Sequence, residues 1–117
     1  MKNIILGLTL FLTQQAFAFV TVSPASIEFG SVVIGTSSSQ MFFLQNNGNE
    51  DVMVQGCFGG GGVFQCQLNC FGTLPRGQNC MGTIMFFPQT TNYEFETISI
   101  PTSSDYATIS VHGLGIR

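Results

Sequence analysis

The 117-residue sequence has no tryptophan, a single histidine, two tyrosines and only 8% charged residues. Each shortage closes off chemistry. One histidine leaves a nucleophile a single base to pair with, His112, and no motif surrounds it. Three cations, Lys2, Arg76 and Arg117, are too few to neutralise a nucleic-acid backbone or an anionic membrane, a mode that needs clustered Lys and Arg. No apolar run approaches the roughly 20 residues that span a bilayer. Beyond residue 18 no window sustains a helical period, which leaves strands as the material of the fold.

What is present begins with an export signal over residues 1–18. Lys2 supplies a positive start, Ile4 to Leu12 an apolar stretch, and Ala16-Phe17-Ala18 the small residues a signal peptidase needs. Cleavage after Ala18 leaves residues 19–117, the size of one domain with one core and no membrane insertion. The new first residue is Phe19, not Cys, so a lipid anchor is not indicated. This part keeps two arginines against six carboxylates, a formal charge of −4. The signal directs export and does not separate a periplasmic from an extracellular or cell-surface destination.

Export makes the four cysteines candidates for disulfides. Cys57, Cys66, Cys70 and Cys80 are separated by eight, three and nine residues, a poor fit to the paired short spacings of structural zinc. From the residues alone the three possible pairings stay open. The whole stretch Cys57 to Cys80 reads as a stapled loop region with strands on either side. Its run Gly59 to Gly62 has no Lys-Ser or Lys-Thr after it and opens no helix, so it lacks the parts of a phosphate loop and reads as a flexible rim.

Strand signals occupy the remainder. Val20-Thr21-Val22 alternates until Ser23-Pro24, where a proline suits an edge strand or a strand switch. Ile27 to Gly30, Val32 to Gly35, Gln40 to Asn46, Val52 to Val54, Cys80 to Phe87, Ile98 to Pro101 and Ala107 to Val111 follow. Asn46-Asn47-Gly48-Asn49 supplies a tight turn. About seven short strands at this spacing predict an all-β, immunoglobulin-like β-sandwich.

Ser23-Pro24, Ile27-x-Phe29-Gly30-x-Val32-x-x-Gly35, Leu44-x-Asn46-x-Gly48-Asn49, Leu74-Pro75-x-Gly77-x-x-Cys80, Phe86-x-Pro88 and Val111-x-Gly113-x-Gly115 stand in one order along residues 20 to 115. The series resembles the immunoglobulin-like domain of abnormal-spindle and hydin proteins and of bacterial secreted choice-of-anchor D proteins. The resemblance implies a sandwich related to the major sperm protein fold, used as a binding or spacer module and not as an enzyme. Relatives often carry cysteines at the positions of Cys70 and Cys80, which implies that pair and leaves Cys57 with Cys66. Bacterial relatives usually sit as repeats in long proteins, whereas this sequence stops two residues after Gly115, so a free single domain, or one that joins something non-covalently, is expected.

Other candidates for chemistry are sparse. Glu94-x-Glu96 and Glu50-Asp51 are the close carboxylate pairs; neither lies in an aspartate-rich calcium loop, and the first reads as a solvated strand edge. His112 falls on the outer face near a strand end. With all cysteines oxidised no thiolate remains. No cofactor and no metal are called for.

The strands themselves are more informative. With Phe42, Leu44, Ile84 and Phe86 inward, Met41, Phe43, Met81, Met85 and Phe87 point away from the core on two strands that neighbour each other in such a sandwich. Thr97, Ser99, Thr108, Ser110 and His112 are outward on the last two, so one outer face reads as apolar and the other as polar. The apolar face is either an interaction site or is covered by a loop such as the glycine-rich one. The sequence therefore predicts an exported, non-catalytic module that takes a protein partner or associates with itself in an envelope or surface assembly. A carbohydrate-binding, adhesin-like module using the glycine-rich rim is the alternative.

Overall fold

The computed structural model describes residues 19–117 except Gly60, Gly61, Phe71 and Ser104. Residues 1–18, where the sequence predicts an export signal, and the middle of the glycine run lie outside the described residues.

Nine strands are described: β1 (Val20–Ser23), β2 (Ser26–Val33), β3 (Ser38–Asn46), β4 (Val52–Val54), β5 (Phe64–Leu68), β6 (Gly72–Leu74), β7 (Asn79–Phe86), β8 (Tyr93–Pro101) and β9 (Tyr106–Ile116). They form a four-stranded sheet in the order β1-β3-β7-β5, a three-stranded sheet β2-β9-β8 and a small pair β4-β6. Val54 bridges to Thr102 and Phe58 to Ser99, which hangs the small pair and the segment after it on the edge of β8.

The first two strands show why Pro24 stands where it does. β1 runs antiparallel to β3 in one sheet, while β2 runs parallel to β9 in the other. The chain changes sheets at Ser23-Pro24, and a residue without an N–H is cheapest where no ladder needs one.

Alternation does the rest. Phe42 and Leu44 of β3, Ile84 and Phe86 of β7, and Phe64 and Leu68 of β5 meet Ile98, Ile100, Ile109 and Val111 of β8 and β9 in one buried cluster. At its centre the Phe64 and Phe86 rings stack at 4.8 Å, with Phe29 tilted against both at 5.9 and 5.5 Å. Burying each such ring is worth about 1.5–3 kcal/mol in transfer free energy.

The six sequence landmarks turn out to be the joints of this packing. Asn46, fully buried, donates its side-chain amide to the carbonyls of Glu50 (2.7 Å) and Leu74 (3.0 Å) and accepts from Gly48 N–H (3.0 Å). Gly77, at φ +76°, donates its N–H to Asn46 O. One side chain thus knits the turn after β3 to the end of β6. Gly113 is glycine because a Cβ there would run into the Phe86 ring, and Gly115 because it would meet the Thr90 carbonyl and Pro88.

The Cys57 to Cys80 stretch is not simply a loop. Two strands, β5 and β6, lie inside it, and β5 is a full member of the four-stranded sheet. Phe64-Gln65-Cys66-Gln67-Leu68 alternates apolar and polar residues and buries Phe64 and Leu68, so the strand follows from the same rule as the others. Two disulfides close the region: Cys57–Cys66, with Cα atoms 6.1 Å apart, and Cys70–Cys80, 5.9 Å apart. The first ties β5 to the segment hung on β8 and so joins the two sheets; the second ties the chain after β5 to β7.

Candidate interaction surface

β3 and β7 pair antiparallel, with Phe43 opposite Met81, Met41 opposite Thr83 and Ser39 opposite Met85. Because alternate residues share a face, Met41, Phe43, Met81 and Met85 all stand on the outer side of the four-stranded sheet. Phe87 follows just past the end of β7, its N–H given to Val63 O at 2.7 Å. Met41 is 52% exposed, Phe43 48% and Phe87 37%; Met81 and Met85 are half-buried. Among the described residues no segment lies over Met41 and Phe43. A depression of about 190 Å³ opens between Met41, Met81, Gln67 and Asn69, and Asn69 is fixed there by accepting Met81 N–H at 3.0 Å.

The electrostatics of this face are set by omission. The four strands read VTVS, SSQMFFLQN, FQCQL and NCMGTIMF, without one Asp, Glu, Lys, Arg or His. The apolar side chains are interrupted only by Ser, Thr, Gln and Asn. In a chain of net charge −3, every carboxylate lies elsewhere.

The opposite outer face differs from the sequence reading. Thr97, Ser99, Thr108, Ser110 and His112 do face outward, but β8 begins at Tyr93, so Tyr93 and Phe95 join them at 58% and 57% exposure. Leu114 lies opposite Tyr93, His112 opposite Phe95, and exposed Val33 beside Ile116. That face is polar at one end and aromatic at the other. The alternation of Ile98 to Pro101 extends back through Phe95 and Tyr93, so the Glu94-x-Glu96 strand edge and that run form one strand.

His112 is half-buried within this aromatic end. Its Nε2 lies 3.3 Å from Ser26 Oγ, and its ring sits 5.5 Å from Phe95 and 6.3 Å from Tyr93. A serine and a histidine in reach are two parts of a nucleophilic pair, but a third group must orient the ring. Glu28, which pairs with His112 in the register of β2 and β9, accepts Gly30 N–H at 3.1 Å. Glu94 and Glu96 are half-buried on edge strand β8, and Asp51 accepts Arg76 N–H at 3.1 Å in the turn that Asn46 organises. Among the described residues no three His, Cys, Asp or Glu side chains converge to hold a metal ion.

The nine strands, the sheet switch and the two covered inner faces define an immunoglobulin-like β-sandwich. The family model of the HYDIN/CFA65/VesB-like Ig-like domain matches residues 18–114, and the chain belongs to that family. No curated protein is significantly similar in sequence.

Solved structures share the fold at low identity. A protein of unknown function from Porphyromonas gingivalis W83 is 13% identical with a TM-score of 0.71, over 83% of this chain and 46% of its own. The VesB protease of Vibrio cholerae is 17% identical with a TM-score of 0.68, over 92% of this chain and 34% of its own. The ASH/PapD-like domain 7 of human CEP192 is 18% identical with a TM-score of 0.60, over 84% and 85%. The chain thus spans less than half of the first two.

Proposed function

We propose that this protein is an exported, non-catalytic binding module whose working surface is the outer face of the four-stranded sheet. The observation that carries the reading is the charge-free face itself: Met41, Phe43, Met81, Met85 and Phe87 set among neutral polar residues in an otherwise acidic chain. Exposed apolar patches rimmed by polar groups mark contact sites, and Met and aromatic side chains suit adaptable protein surfaces. Two disulfides in a domain of this size support an oxidising compartment, periplasmic or extracellular. An immunoglobulin-like frame with an unaccompanied Ser26–His112 contact supports binding by surface complementarity and not by covalent chemistry.

The test is the paired substitution Met85→Thr and Phe87→Thr in the exported protein. Partner capture from envelope extract is expected to fall at least tenfold while the melting temperature moves by no more than a few degrees, since both side chains stand outside the core. Undiminished capture, or a loss that tracks unfolding, contradicts the proposal.

A further inference from the structure

One edge of the same sheet, along β5, has no hydrogen-bonded neighbour among the described residues. Phe87 N–H donates to Val63 O and Asn69 N–H to Met81 O, so the odd-numbered residues of β5 face β7. Backbone groups alternate along an antiparallel strand, and Phe64, Cys66 and Leu68 therefore turn their N–H and C=O groups the other way. No hydrogen bond from any described residue reaches them. Along this edge, between Gln55–Phe58 and Cys66–Leu68, runs a groove of about 610 Å³.

An exposed strand edge invites pairing, and proteins guard such edges with proline, charge, bulges or brevity. The other edges here are guarded. β1 has four residues and stops at Pro24. β2 breaks its register between Glu28 and Ser31. β8 carries Glu94, Glu96 and Pro101, and its Ser99 is already paired with Phe58. β5, FQCQL, has no proline, charge or bulge, and the Gln55–Phe58 segment that Cys57–Cys66 ties to it makes no hydrogen bond with it.

We infer that β5 pairs with β5 of a second copy, antiparallel about a two-fold axis at Cys66, to make one continuous eight-stranded sheet. This register sets Phe64 opposite the second copy's Leu68 and Cys66 opposite its own counterpart, so every outward backbone group of the strand finds a partner; shifting it leaves some unpaired. A two-fold contact joins identical patches, and a patch without charge meets its own copy with no charge repulsion. The four-stranded sheet is such a patch throughout. The neighbouring strand would lie about 4.8 Å away, on the side where the groove opens. Pairing also sets two Met and Phe faces side by side on one surface. The inference goes beyond the binding role of that face and does not depend on it.

In this register Gln65 lies opposite Gln67 of the second copy, both on the outer face, while within its own sheet each meets the uncharged Met85 or Thr83. The test is sedimentation velocity of the exported protein over a concentration series. The unsubstituted protein is expected to dimerise, Q65K/Q67K to raise the dimer dissociation constant about tenfold or more by opposing lysines, and Q65K/Q67E to restore the dimer by opposing lysine to glutamate. A monomeric unsubstituted protein, or a dimer indifferent to Q65K/Q67K, overturns the pairing; a folded Q65K/Q67E that stays as dissociated as Q65K/Q67K overturns the register. Hydrogen exchange of the unsubstituted protein gives a check free of folding defects. The Cys66 and Leu68 amides should slow as concentration rises, and concentration-independent exchange contradicts the seam.

Discussion

Asn46 shows how one residue can hold a fold of this size together. Its side chain serves two carbonyls and one N–H, and its backbone N–H donates to Gln78 O while its backbone carbonyl accepts from Gly77 N–H. Replacing it with alanine leaves those buried groups unserved. Asn46→Ala is expected to lower stability by about 2–3 kcal/mol, and Asn46→Asp by at least as much, since a carboxylate would face the Glu50 and Leu74 carbonyl oxygens. Urea unfolding measures both, and a loss under about 0.5 kcal/mol would show that the turn holds by backbone bonds alone. The sequence marks Asn46 only as a turn residue, because Asn-Gly chemistry is local; its burial and its bond to Leu74, 28 positions away, come from packing.

At the scale of elements, the strands legible in the sequence were those whose alternation stands clear of other signals. β3 and β7 are such strands, and the placement of Met41, Phe43, Met81 and Met85 on one face follows directly from them. β5 has the same alternation but sits among cysteines and glycines, which drew the reading toward a loop. In β8 the glutamates at alternate positions interrupt the apolar signal ahead of Ile98, so the sequence shows a strand edge there without showing that Tyr93 and Phe95 join the outer face of the run from Ile98. Edge strands tolerate the polar residues that central strands exclude, so hydrophobic pattern alone under-reads them. The Cys57–Cys66 disulfide holds edge strand β5 to the segment whose Phe58 pairs with Ser99. Replacing both cysteines with alanine is expected to cost about 2–3 kcal/mol through the loop it frees. It should also speed exchange of the Phe58 amide, whose bridge is isolated, more than that of any β3 amide. Equal acceleration at both places would mean that the disulfide acts on global stability only.

For the whole molecule, the two sheets divide the chemistry of the surface between them. Glu28, Glu94, Glu96, the histidine, Tyr93 and Phe95 lie on β2, β8 and β9, while no strand of the four-stranded sheet carries a charged residue or a histidine and its outer face shows Met41, Phe43, Met81 and Met85 among neutral polar groups. That division was half visible beforehand: the apolar face could be read from two strands, but its lack of charge needed β1 and β5 assigned to the same sheet. The central claim is that the charge-free face makes the working contact and the aromatic end of the other sheet does not. Met41 and Phe95 are almost equally exposed, at 52% and 57%, and stand on opposite faces, so they form a matched pair of probes. Each is replaced in turn by a photoreactive phenylalanine analogue in the full-length protein, which is then irradiated in intact cells. The account predicts protein adducts from position 41 and none above background from position 95; adducts from 95 and none from 41 would contradict it.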